Sequence, residues 1–208
     1  MPTLANSLLN SFLLRKLLAR VAGISAERAL PRYTRQRFDD WFSQRSNRHT
    51  ATRGRVVLWD DTFVRHHEPH IGIAAVKVLE RAGFQVVLAG ERKCCGRPAF
   101  SQGNLAEARR LGEHNLAMFN RDVDNAPIIF LEPSCHSMFI EDYREMKLPN
   151  AEHVASRCFM LGEVLDDLLR REPEALRFAP GPANIAIHVH CHTKALTDPS
   201  YMHRLAAR

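Results

Sequence analysis

Cys94 and Cys95 are adjacent and lead into Gly96-Arg97-Pro98, Cys135 closes Glu132-Pro133-Ser134-Cys135, and Cys191 stands between His190 and His192. Thiolates are soft ligands that select zinc, copper(I) or iron–sulfur clusters, so thiols gathered at one rim suggest a thiolate-rich metal site. Neighbouring cysteines suit a redox dithiol poorly, because a vicinal disulfide strains the peptide between them. Gly96 and Pro98 fit a tight turn whose backbone can approach a bulky group and offer it N–H donors. Zinc is the rival metal: His188, His190 and His192 alternate around Cys191, yet the thiols lack the C-x-x-C pairs usual in a structural zinc site. His188 and His190 read as strand packing, while His136 and His192, each beside a cysteine, read as outer neighbours of ligands. Cys158, beside Phe159 and Leu161 in a helical pattern, reads as a small core hydrophobe. Reduced core cysteines that bind no metal are the remaining reading.

The elements that must position these residues alternate. Apolar runs at Arg55–Trp59, Phe84–Leu88, Pro127–Leu131 and Asn184–His190 predict four strands. Between them lie helical patterns at His70–Arg81, from an Asn104 cap to about Asn120, near Ser137–Met146 and near Ser156–Arg171. Continuous apolar strands alternating with helices define an α/β fold with a small parallel sheet buried on both faces. Functional groups in such sheets collect beyond the carboxyl ends of the strands. Cys94 and Cys95, Cys135, and Cys191 follow predicted strands two, three and four.

The chain has 208 residues, 45% hydrophobic and 25% charged, enough for a core without disulfide staples. Five cysteines is odd and too few for a disulfide scaffold. The net charge of +6 is unevenly placed: residues 1–57 carry eleven basic and three acidic side chains, and the remainder is slightly acidic. Leu4, Leu8, Leu9, Phe12, Leu13, Leu17, Leu18 and Val21 recur at helical spacing with Arg15, Lys16 and Arg20 among them. This predicts an amphipathic helical segment that packs on the body or a partner, with a membrane surface or a transit peptide as alternatives. The arginine-rich connector that follows carries no base-reading motif, so no nucleic-acid partner is expected. Gly90, Gly96 and Gly103 do not have dinucleotide-loop spacing. Thiols intended for metal need a reducing compartment, so cytoplasm is expected, with contact at the inner membrane surface through the basic helix.

Cys94-Cys95-Gly96-Arg97-Pro98, preceded by Ala82–Leu88 and followed by Glu132-Pro133-Ser134-Cys135 and His190-Cys191-His192-Thr193-Lys194-Ala195, resembles the cysteine-rich "CCG" domain. That family includes the cysteine-rich subunit of heterodisulfide reductase, the iron–sulfur subunits of glycolate oxidase and anaerobic glycerol-3-phosphate dehydrogenase, and a lactate-utilisation protein. The resemblance is greatest to the C-terminal region of FAD-linked oxidases of 2-hydroxy acids such as D-lactate. It implies a Rossmann-like module and an iron–sulfur cluster held by Cys94, Cys95, Cys135 and Cys191. The family's lone leading cysteine falls on Thr62 and the first cysteine of its C-P-x-C on Glu132, which the resemblance offers as an oxygen ligand. It further implies a basic helical linker over 1–54, a first module over 55–180, and the opening of a second over 181–208, the whole reading as a fragment. FAD and ferredoxin-like clusters would then belong to a partner domain or subunit. The chain would transfer electrons without being catalytic alone. A cluster-free docking module and a zinc-binding domain remain the alternatives.

Overall fold

A computed structural model describes residues 2–45, 51–121, 125–182 and 184–208; Arg48 of the basic linker lies outside them. The chain forms two compact units, Met1–Ser46 with Thr62–Ile73, and Asn47–Asp61 with Ala74–Arg208.

In the first unit, α1 (Pro2–Asn10) and α2 (Phe12–Ala22) form the expected amphipathic segment, interrupted at Ser11 and ended by Gly23 in the left-handed region at φ 67°. Neither helix buries a residue. Leu4, Leu8, Phe12, Leu13, Leu17 and Val21 are exposed. α3 (Phe38–Gln44) lies inside the stretch read as connector, with Phe38 fully buried. Phe38 and Val64, from α4 (Thr62–His66), close over Gly72, where a Cβ would lie 2.7 Å from each.

The second unit holds β1 (Arg55–Trp59), most of α5 (Pro69–Arg81), β2 (Gln85–Leu88), α6 (Arg97–Ser101), α7 (Leu105–Asn120) and β3 (Ile128–Phe130). There follow α8 (Pro133–Ser137), a π-helical turn Met138–Asp142, α9 (Tyr143–Glu145), α10 (Ala151–Ala155), β4 (Cys158–Met160), α11 (Leu161–Arg171), α12 (Cys191–Leu196) and α13 (Ser200–Ala206). The strands form one all-parallel sheet in the order β2-β1-β3-β4, with Val57 opposite both Val87 and Ile128, and Ile128 opposite Cys158. β1 and β3 are buried almost throughout, as central strands of a covered parallel sheet must be. The core centres on Trp59, whose ring meets Phe139 edge-on at 4.9 Å, with Phe119, Phe130 and Tyr143 around it.

The α/β class and the first three strands stand as expected. The fourth strand does not. Asn184–His190 is mostly exposed and joins no ladder among the described residues. β4 is instead the three-residue Cys158–Met160, within the stretch read as one helix. Cys158 is the buried packing residue expected, but it sits on a strand, where its thiol donates to Val154 O at 3.2 Å.

Candidate metal centre

The Cys-Cys-Gly turn follows β2 and is held from two sides. Asn115 of α7 is fully buried; its Oδ1 accepts Lys93 N–H at 2.9 Å, and its Nδ2 donates to Cys94 O at 3.1 Å. The buried Tyr143 hydroxyl donates to Cys95 O at 2.6 Å. Gly96 then turns the chain into α6 at φ 85°, a conformation favouring glycine. It lies so close to α7 that a Cβ would sit 3.3 Å from Ala108 Cα. Neither Asn115 nor Tyr143 emerged from the sequence. The available signal was Asn115 itself, a polar side chain on the buried stripe Ala108, Gly112, Asn115, Phe119 of an amphipathic helix.

Cys135 arrives from the end of β3 on α8, which begins with Pro133 and is capped by Glu132, whose carboxylate accepts Ser134 N–H at 2.8 Å. Cys135 Sγ donates to Cys95 Sγ across 3.0 Å. Both are buried, at 3% exposure for Cys95 and 8% for Cys135, while Cys94 is half-buried. Gly96 N–H points at Cys94 Sγ from 3.5 Å. The hydrogen bond with Cys95 is the main cause that raises the Cys94 thiol pKa, and burial adds to it. The bond with Cys135, with burial behind it, raises that of Cys95. A bound metal would take the place of the thiol protons.

Arg97 ties the turn to the Cys135 helix. Its guanidinium pairs with Asp142, donates to Ser137 Oγ at 2.5 Å and to Ser134 O at 3.3 Å. Asp142 ends the π-helical turn, a distortion frequent at functional sites. On the β1 side, Arg92 Nε lies 3.3 Å from the buried Asp60 carboxylate.

Cys191 belongs to another donor set. It is exposed at the first residue of α12, which packs beside α8, and its neighbours within ligand reach are His190 and His192. His190 is no strand residue: it caps α12, its Nδ1 accepting His192 N–H at 3.2 Å. His136 is buried, its Nε2 3.3 Å from Cys158 O, with its pKa lowered by burial. Thr62 is exposed at the start of α4, in the first unit.

Residues 61–140 match the family model of the CCG cysteine-rich domain, a span that includes the Cys-Cys-Gly turn and the helix that carries Cys135. This stretch is where the chain is similar to the CCG cysteine-rich domain. Among curated relatives it is similar to a subunit of the anaerobic glycerol-3-phosphate dehydrogenase of Escherichia coli, 26% identical over 88% of this chain and 46% of that one. It is also similar to lactate utilization protein A of an Exiguobacterium species, 30% identical over 62% of this chain and 53% of the relative. A third relative, lactate utilization protein A 2 of Bacillus mycoides, is 28% identical over 68% and 59%. The chain thus spans about half the length of the curated relatives it matches. No solved structure matches it.

Proposed function

We propose that this chain is an iron–sulfur-binding, electron-transfer module of a flavin-linked 2-hydroxy-acid dehydrogenase of the D-lactate or glycolate type. The observation that carries the reading is that Cys135 Sγ stands 3.0 Å from Cys95 Sγ, with Cys94 adjacent to Cys95 in the chain. Three soft donors, one of them faced by a peptide N–H, are a donor set suited to iron and sulfide. When bound, the cluster supplies one-electron transfer. The protein's part is to hold the thiolates through Asn115, Tyr143 and Arg97, and to keep Cys95 and Cys135 away from water. Glu132 is the proposed oxygen donor, although one of its carboxylate oxygens caps α8. Cys191 falls outside this assignment because its close neighbours are imidazoles.

Electrons would come from a flavin-containing, ferredoxin-like partner, which would also select the substrate. Among the described residues no helix is long and apolar enough to cross a membrane. The cytoplasm is the proposed compartment, with α1 and α2 offering exposed leucines and basic residues to a membrane surface or partner.

Anaerobic reconstitution with ferrous iron and sulfide tests the reading. The expected product is a coloured protein with iron and acid-labile sulfide that Cys95→Ser and Cys135→Ser fail to retain. A folded wild-type chain that takes up no iron overturns it. That result would favour a cluster-free docking module, the reading supported by the Glu132 cap and by Thr62 in place of a thiol.

A further inference from the structure

His190, Cys191 and His192 each present one ligand atom, and these atoms lie within 4.8 Å of one another. They are the one such group of three among the described residues, and none of the thiols of the Cys-Cys-Gly turn belongs to it. Three consecutive residues rarely converge in a strand, where neighbours alternate between faces. Here the chain leaves the extended segment at His190 and enters α12 at Cys191, so the bend brings all three side chains to one side. The two rings lie nearly parallel, centroids 5.1 Å apart at 25°. Cys191 Sγ is 3.8 Å from His190 Nδ1. His192 Nδ1 is buried and has no hydrogen-bond partner among the described residues. A buried ring nitrogen without a partner is costly unless something else occupies its lone pair.

We propose that His190, Cys191 and His192 form a second, mononuclear site for a divalent ion of the zinc class, separate from the three-thiol centre. Two imidazoles and one thiolate are a borderline-to-soft set that zinc accepts, and three protein ligands leave a fourth position for water or a partner's donor. On binding, the Cys191 S–H bond breaks, its proton leaves to solvent, and the sulfur's electron pair goes to the metal; no electron is transferred. Cys191 is exposed and the imidazoles are half-buried, so an ion can enter without opening the core.

The test measures zinc and iron on the same full chain. Chelator-stripped wild type, Cys191→Ser and the double variant His190→Ala/His192→Ala are titrated with zinc against a competing chelator. In parallel, each is reconstituted with iron and sulfide. All three substitutions lie outside the core, and far-ultraviolet circular dichroism confirms folding. The expected result is that both variants lose one equivalent of zinc and keep the wild-type iron content. Cobalt in place of zinc should give a thiolate charge-transfer band that Cys191→Ser abolishes. Equal zinc uptake by wild type and both variants overturns the proposal. Loss of iron in place of zinc from Cys191→Ser also overturns it, by assigning that thiol to the cluster. Failure of iron binding in every protein, with zinc lost as expected, would instead sink the iron–sulfur reading alone.

Discussion

Replacing Gly96 by alanine adds one carbon at a point where backbone, not side chain, stands in the way. The left-handed φ of 85° costs a non-glycine residue roughly 1–2 kcal/mol. Alanine recovers about 0.4–1 kcal/mol by restricting the unfolded chain. Gly103 makes the control: its φ is 77°, and a Cβ there meets nothing within 4 Å. Gly103→Ala should therefore cost about 1 kcal/mol or less. At Gly96 the new carbon would lie 3.3 Å from Ala108 Cα and 3.4 Å from Ala108 O, both fixed in α7. Overpacking against atoms that cannot rotate away adds about 1–3 kcal/mol. Gly96→Ala should then lose about 2–3 kcal/mol in urea denaturation followed by circular dichroism, or about 5–10 °C in Tm. It should also retain less iron, because the turn must shift and carries Cys94 and Cys95 with it. Equal losses in the two variants, with iron retention unchanged in Gly96→Ala, would refute the close packing of the turn on α7.

Three other perturbations follow from the same geometry. Asp142→Ala leaves the Arg97 guanidinium without its counter-charge in a largely buried place, and should cost about 3 kcal/mol in urea denaturation; Asp142→Asn, still an acceptor, should cost less. Arg92→Met should lose about 2 kcal/mol or more, and should slow oxidant-induced formation of a Cys95–Cys135 disulfide, read by peptide mapping. Arg204 beside Asp166 holds that carboxyl below its usual range, so the pair stabilises the fold above the unfolded carboxyl's pKa of about 3.9 and stops doing so as pH falls through the lower folded value. Arg204 is partly exposed, so Asp166→Asn should cost roughly 0.5–1 kcal/mol at pH 7, and stability curves of the two proteins should converge on acidification below about pH 4.

Much of this architecture was legible because three of the sheet's strands are short, apolar runs. Arg55–Trp59 and the runs ending at Leu88 and Phe130 stand out against polar flanks, and the Asn104 cap marks α7, its side chain accepting Glu107 N–H as a cap should. What misled was the alternation in Asn184–His190, which has the composition of a strand but no neighbour to pair with among the described residues. β4 was hidden for the opposite reason: three residues give too short a signal beside the strong amphipathic pattern of α11. The candidate site divided along the same line. Adjacent thiols and a glycine are visible in one dimension. The Asn115 and Tyr143 bonds that aim them join residues 21 to 48 positions apart.

Strand order explains why those distant bonds are needed. β2 and β3 carry the thiols but are not neighbours, since β1 lies between them. Two inter-strand steps separate their ends by about 10 Å. Yet Cys95 and Cys135 sulfurs meet at 3.0 Å, so the loop after β2 must lean across the end of β1. Arg92, midway along that loop, reaches Asp60 just beyond β1, giving the lean an anchor at its centre. Lys93 and Cys94 are then caught by Asn115, Cys95 by Tyr143, and Arg97 by the Cys135 helix itself. Each successive residue is thus fixed by its own partner. The apolar alternative, a loop packed only on Trp59, would cover the strand end without specifying where the sulfurs stop. Polar anchors with defined partners set that stop, which is what a ligand set for a metal requires before the metal arrives.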